Sequence, residues 1–134
     1  MIRATVALAF LTAPAAAQVI PTGSPAADIL LSQAIAEHRV FLTCSVLDPA
    51  MHQAIAQAWE TDIATAARLL ADRKVTPEAI TAFTTAASPQ ALLPAPDLPF
   101  ADVRALCDQH PDWSARYAGG SAIRLADSLP GALP

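Results

Sequence analysis

The chain has little with which to build a sheet and no recognised motif with which to build a catalytic centre. It holds four glycines in 134 residues, and β-branched residues seldom run together, so strands lack material. Aromatics are equally scarce: beyond residue 17 they are Phe41, Trp59, Phe83, Phe100, Trp113 and Tyr117. Cys44 and Cys107 stand too far apart for a C-x-x-C redox pair or a haem attachment site. No Gly-rich phosphate loop is present. Thr43, Ser45 and Ser114 lack the G-x-S-x-G context of a serine hydrolase. His38, His52 and His110 show no metal-ligand spacing. Basic residues form no cluster, which argues against nucleic acid and anionic membrane surfaces as partners. These absences leave no catalytic residue, no cofactor-binding residue and no metal ligand to assign.

What is present starts at the N-terminus. Met1-Ile2-Arg3 gives one early positive charge, Ala4 to Ala13 is an apolar run, Pro14 breaks it, and Ala15-Ala16-Ala17 ends it with small residues. That order reads as a cleavable secretory signal over residues 1–17, with the mature chain starting at Gln18. The apolar run falls short of the roughly 20 residues needed to span a bilayer. No cysteine follows it to take a lipid, and no later segment is long and apolar enough to span. The expectation is an exported protein without stable membrane insertion. The short Ala-rich signal resembles bacterial ones, which implies the periplasm or secretion. Without Arg3 the mature chain carries seven Lys and Arg against twelve Asp and Glu, or −5 with His neutral.

The remainder reads as a single all-α domain over residues 24–128, a small bundle of about four helices, after a flexible lead at 18–23 and before a disordered tail at 129–134. Ser24-Pro25, Asp48-Pro49 and Thr76-Pro77 each place a capping side chain just before a proline at the first helical position. The first helix is expected to run to Cys44–Leu47 and the second to Ala71–Lys74. Val75 and Ile80 can close as a hydrophobic staple on the third. Ser88-Pro89 either starts a short turn through Leu93 or ends that helix. Pro94, Pro96 and Pro99 make the following stretch an extended linker. A fourth helix runs from Pro99 to about Gln109, one more turn is open to residues 112–117, and 121–128 reads as a frayed helix. The helical spacing predicts a core of Leu31, Ile35, Leu42, Ile55, Trp59, Ile63, Leu70, Ile80, Phe83, Val103 and Leu106.

An even cysteine count in an exported chain reads as one structural disulfide, Cys44 to Cys107. His38 lies on the apolar stripe of the first helix, where a hydrogen-bonded core histidine is the simplest explanation. Asp102, Asp108 and Asp112, with Arg104 and Arg116, read as a solvated face. The segment 108–113 is the densest in polar, Pro and Trp residues. Trp113, with His110 and Asp112, is the candidate partner-binding group, the alternative being that Trp113 folds back on the first helix beside the disulfide.

The function expected is a non-enzymatic binding or interaction module with a protein partner. An early and a late helix joined by one disulfide, with the run Leu106-Cys107 to Pro111, is similar in architecture to small periplasmic acid-stress chaperones. That resemblance implies binding of unfolded clients at low pH. Near pH 2 carboxylates with ordinary pKa values are largely neutral and His is charged, so the mature chain would carry about +10 and repel itself. A third reading is a small metal carrier or an accessory subunit of an exported enzyme.

Overall fold

A computed structural model describes residues 20–134, and the expected signal at 1–17 and the start at Gln18 lie outside the described residues. Four helices in succession begin the same way. In α1 (Pro25–Cys44) Ser24 Oγ accepts from the Ala27 N–H, and in α2 (Pro49–Asp72) Asp48 accepts from the Met51 N–H. Thr76 does the same at Ala79 for α3 (Pro77–Ala87), and Ser88 at Ala91 for α4 (Pro89–Leu92). In each case proline fills a first-turn position, where its missing donor leaves no hydrogen bond unmade. The later helices, α5 (Phe100–Asp108), α6 (Trp113–Ala118) and α7 (Leu125–Ala132), have no capping bond from their own cap residue.

The described residues thus form seven helices and no strand, not about four. The difference lies after residue 88, where α4 is a short helix with its own Ser88-Pro89 signal and α6 and α7 are short helices without a capping bond from their own cap residues. α1 is the centre of the arrangement and packs against every other helix. α2 lies beside it, and α7 closes over both.

Two boundaries expected from sequence are corrected. Residues 129–134 are not a disordered tail: Leu125, Leu129 and Leu133 recur every fourth residue, and all three are buried. This stripe docks on α1 and α2 despite Pro130 inside the helix. Ser24 Oγ, already the cap of α1, donates to the Ala132 carbonyl at 2.7 Å, and the Arg73 guanidinium donates to the Pro134 carbonyl at 2.7 Å. The lead is not flexible from Ile20 onward, because Ile20 is buried in the core. The Thr22 N–H and hydroxyl both donate to Asp28 Oδ1, at 3.0 and 2.5 Å, and Gly23 supplies the left-handed φ of +87° that the bend needs.

The core is also redistributed. Leu31, Leu42, Ile55, Trp59, Ile63, Leu70 and Phe83 are buried as expected. Ile35, Ile80, Val103 and Leu106 are only half-buried, and α5 contributes no fully buried residue. Their places are taken by Ile20, Phe41, Leu92, Leu125, Leu129 and Leu133. α5 has α1 as its packing neighbour, so its apolar face is covered on one side alone.

Among the described residues no helix is long and apolar enough to cross a membrane.

Candidate functional site

Cys44 ends α1 and Cys107 lies in the last turn of α5, with Cα atoms 5.6 Å apart and the sulfurs bonded. The bond ties the weakly buried α5 to the central helix. What surrounds it is unusual for so small a core. Among the described residues the large apolar side chains left exposed are Ile29, Val46, Leu47, Leu93, Leu98 and Phe100, and all but Ile29 lie in or beside α5 and its hollows. Leu47 is 75% exposed and Phe100 58%.

They line two adjoining hollows. One, of about 290 Å³, lies between the end of α1 and the start of α5, walled by Val46, Leu47, Phe100, Val103 and the disulfide itself. The second, of about 200 Å³, lies on the other side of Val103, between Leu93, Pro94, Leu98 and Leu106. Val103 and Leu106 are therefore the floor of a surface and not core residues. The local sequence explains the exposure. The three prolines 94, 96 and 99 keep residues 93–99 out of a helix, so Leu93 and Leu98 lie on an open segment with no helix of their own to cover them. Asp102 lines the second hollow, and the exposed Asp48, Asp97 and Asp108 each adjoin a lining residue in the chain, Leu47, Leu98 and Cys107 respectively. Two guanidinium groups, Arg39 and Arg104, line the hollows. Taken with these chain neighbours, the four carboxylates and two guanidinium groups sum to −2.

The residues singled out from sequence fall nearby but do not make this surface. Trp113 is half-buried and packs against the core. His110 is half-buried, and its backbone N–H donates to the Cys107 carbonyl at 3.0 Å. Asp112 is exposed and precedes α6 without a capping bond from its side chain. Sequence reasoning missed Leu47, Leu93, Leu98 and Phe100. Leu47, Leu93 and Leu98 stand near helix-breaking prolines, where no helical period assigns them a buried face, whereas the three-to-four spacing with Val103 and Leu106 or Cys107 puts Phe100 on an inner face that the fold leaves open.

A separate polar construction holds the return of the chain from α6 to α7. Glu37, on α1, accepts from Arg116 and from the Ile123 N–H, the latter at 2.6 Å. Asp62, on α2, accepts from the Leu125 and Ala126 N–H groups at 2.7 and 2.9 Å. It thereby caps α7 from another helix, with its charge at the positive end of the helix dipole. Between these elements lies a cavity of about 350 Å³. His38 forms one wall, buried and stacked on Trp59 with ring centroids 3.8 Å apart, and Phe41 meets it edge-on. The Trp59 indole N–H donates to the Ala87 carbonyl at 2.7 Å, which fixes that ring in turn. Burial holds the His38 pKa below its ordinary value, opposed by the bond to Ala34 and by the charges of Glu37 and Asp62.

Ser45 and His52 hydrogen-bond at 2.9 Å across the α1–α2 turn. Among the described residues no three His, Cys, Asp or Glu side chains converge as a metal site would require.

Comparison with family models, with curated proteins and with solved structures finds no match to this chain.

Proposed function

We propose that this chain is a small exported binding module, of bacterial periplasmic type, that takes an apolar segment of another protein flanked by basic residues. The observation that carries the reading is the concentration of exposed large apolar side chains around α5, on a floor held to α1 by the Cys44–Cys107 bond. Apolar side chains exposed singly need no explanation, but a contiguous group rimmed by polar residues marks an interaction surface. Covering Leu47 and Phe100 alone would contribute about 2–4 kcal/mol to association, before the cost of ordering the partner. The excess of carboxylates at the rim selects the basic flank and speeds encounter. The disulfide belongs to an oxidising compartment, in keeping with the export signal expected at residues 1–17.

The test uses two synthetic peptides with the same Leu- and Phe-containing centre, one flanked by Lys and Arg and the other by Asp and Glu. The basic-flanked peptide should bind, the acidic-flanked one should bind at least about tenfold more weakly, and Leu47→Asp with Phe100→Asp should abolish binding. Both positions are exposed, so the double variant should melt like the parent. Equal binding of the two peptides, or unchanged binding to the variant, would reject the reading. So would concentration-dependent dimerisation that buries the same residues.

A second reading, the acid-stress chaperone, draws on different residues. Glu37 and Asp62 hold the 116–126 return through both of their carboxylate oxygens, and protonation removes the charge and turns one oxygen of each into a hydroxyl donor. Release of α7 in acid would uncover Leu125, Leu129 and Leu133 while the disulfide keeps α1 and α5 joined. Client aggregation measured at low pH tests it, and no protection at equimolar or higher ratio would eliminate it.

A further inference from the structure

The cavity beside His38 lies apart from the α5 surface and has a chemistry of its own. His38 is 6% exposed, and its Nδ1 stands 2.9 Å from the Ala34 carbonyl oxygen. A carbonyl only accepts, so Nδ1 carries the ring proton and Nε2 presents a lone pair. Nothing in the described protein donates to Nε2. Among the described residues no buried side-chain nitrogen or oxygen is sealed away without a partner, so Nε2 is reached from the cavity that its ring lines. The ring's stack on Trp59 and its edge contact with Phe41 hold it in that orientation.

The other lining groups share its character. Asp62 lies on the same cavity, and the two N–H groups it accepts leave further lone pairs on its oxygens. Tyr117 and Ile123 supply an aromatic and an aliphatic wall. The one cationic lining residue, Arg124, has its side chain 73% exposed and lies 3.6 Å from Asp127. The interior therefore combines acceptors, one negative charge and aromatic and aliphatic side chains. At about 350 Å³ it is near the small end of the range for small-molecule sites.

We propose that this cavity binds a small primary ammonium compound with an apolar body, its ammonium donating to His38 Nε2 and the Asp62 carboxylate. The N–H donors of an ammonium meet acceptors there, and the positive charge is matched by Asp62. A carboxylate ligand would place negative charge beside Asp62 and a lone pair against a lone pair at Nε2. The apolar body lies against Tyr117 and Ile123.

The experiment is calorimetric titration of the protein with 2-phenylethylammonium, and in parallel with phenylacetate, which keeps the ring and reverses the charge. The amine should bind saturably and phenylacetate at least about tenfold more weakly. His38→Phe retains a ring for the Trp59 stack but removes the acceptor, and should weaken the amine roughly tenfold or more, the worth of one hydrogen bond to a charged group. Ile123→Trp fills the cavity while keeping the backbone N–H that Glu37 accepts, and should abolish binding; it decides the matter if His38→Phe does not fold. The proposal is overturned by absence of saturable amine binding up to about 10 mM, where contacts of this kind would still register. Equal affinity for phenylacetate, or unchanged amine affinity in a folded variant, overturns it equally.

Discussion

Cutting the Cys44–Cys107 bond should release α5 before it unfolds the domain. The bond closes a loop of 63 positions, which by chain entropy stabilises the folded state by about 4 kcal/mol. That is a large part of the roughly 5–15 kcal/mol expected for a whole domain. The local consequence is sharper. α5 spans Phe100–Asp108 and has no fully buried residue. A helix of this length does not hold itself in water, where about 12–15 residues are already marginal. Its docking rests on half-buried Val103 and Leu106, together worth roughly 1.5–3 kcal/mol. Ordering its backbone costs about 1–2 kcal/mol per residue, only partly offset by its own hydrogen bonds. Without the covalent tie the balance favours detachment. The variant Cys44→Ala with Cys107→Ala should lose about 2–4 kcal/mol in urea denaturation, the lower values applying if release of α5 relieves the folded state. Hydrogen exchange gives the discriminating result: amides 100–108 should exchange far ahead of those in the middle of α2. Protection of α5 equal to that of α2 in the variant, or an unmoved urea midpoint, would refute the reasoning. The peptide-binding surface would then not depend on the disulfide.

Three further outcomes follow from the core and its polar supports. Trp59→Ala should cost about 3–5 kcal/mol in thermal or urea denaturation, because the ring is enclosed and its N–H satisfies the Ala87 carbonyl; a loss under about 1 kcal/mol would place the ring at the surface. Asp62→Ala removes two charged hydrogen bonds at the start of α7 and should cost about 2–4 kcal/mol, with amides 125–133 losing protection first; uniform loss across the domain would show that α7 is not held there. His38 is held neutral by burial, its folded pKa lying below the ordinary value, so only the unfolded chain takes its proton as pH first falls. Its effect is absent above the unfolded pKa, and stability is lost progressively from about pH 6.5 down to the folded value. Denaturation between pH 7 and 5 should show this slope, and His38→Phe should flatten it; an equal slope in the variant would assign the acid sensitivity elsewhere.

The helices that open the chain could be read directly because their causes are local. A capping oxygen followed by proline satisfies an orphan N–H and presets φ within a few residues, so Ser24-Pro25, Asp48-Pro49 and Thr76-Pro77 announce α1, α2 and α3 without reference to anything distant. The cysteine pairing was legible for a different reason, since two cysteines allow one intramolecular pair. His38 could be placed on a buried stripe by spacing alone. The rest depended on partners far along the chain. Pro130 and Gly131 hide the Leu125, Leu129 and Leu133 stripe, and α7 forms because Asp62 of α2 caps its start and Ser24 ties its end. Val103 and Leu106 have the spacing of a core face, yet whether a second layer covers that face is a matter of how α1 is crowded by its other neighbours. The His38 cavity likewise arises where Glu37 and Asp62, on two different helices, draw the 116–126 return around it. Local sequence determined where helices start and which side chains are apolar. Tertiary packing alone decided which apolar faces are closed, because burial belongs to a pair of surfaces and no single segment contains both.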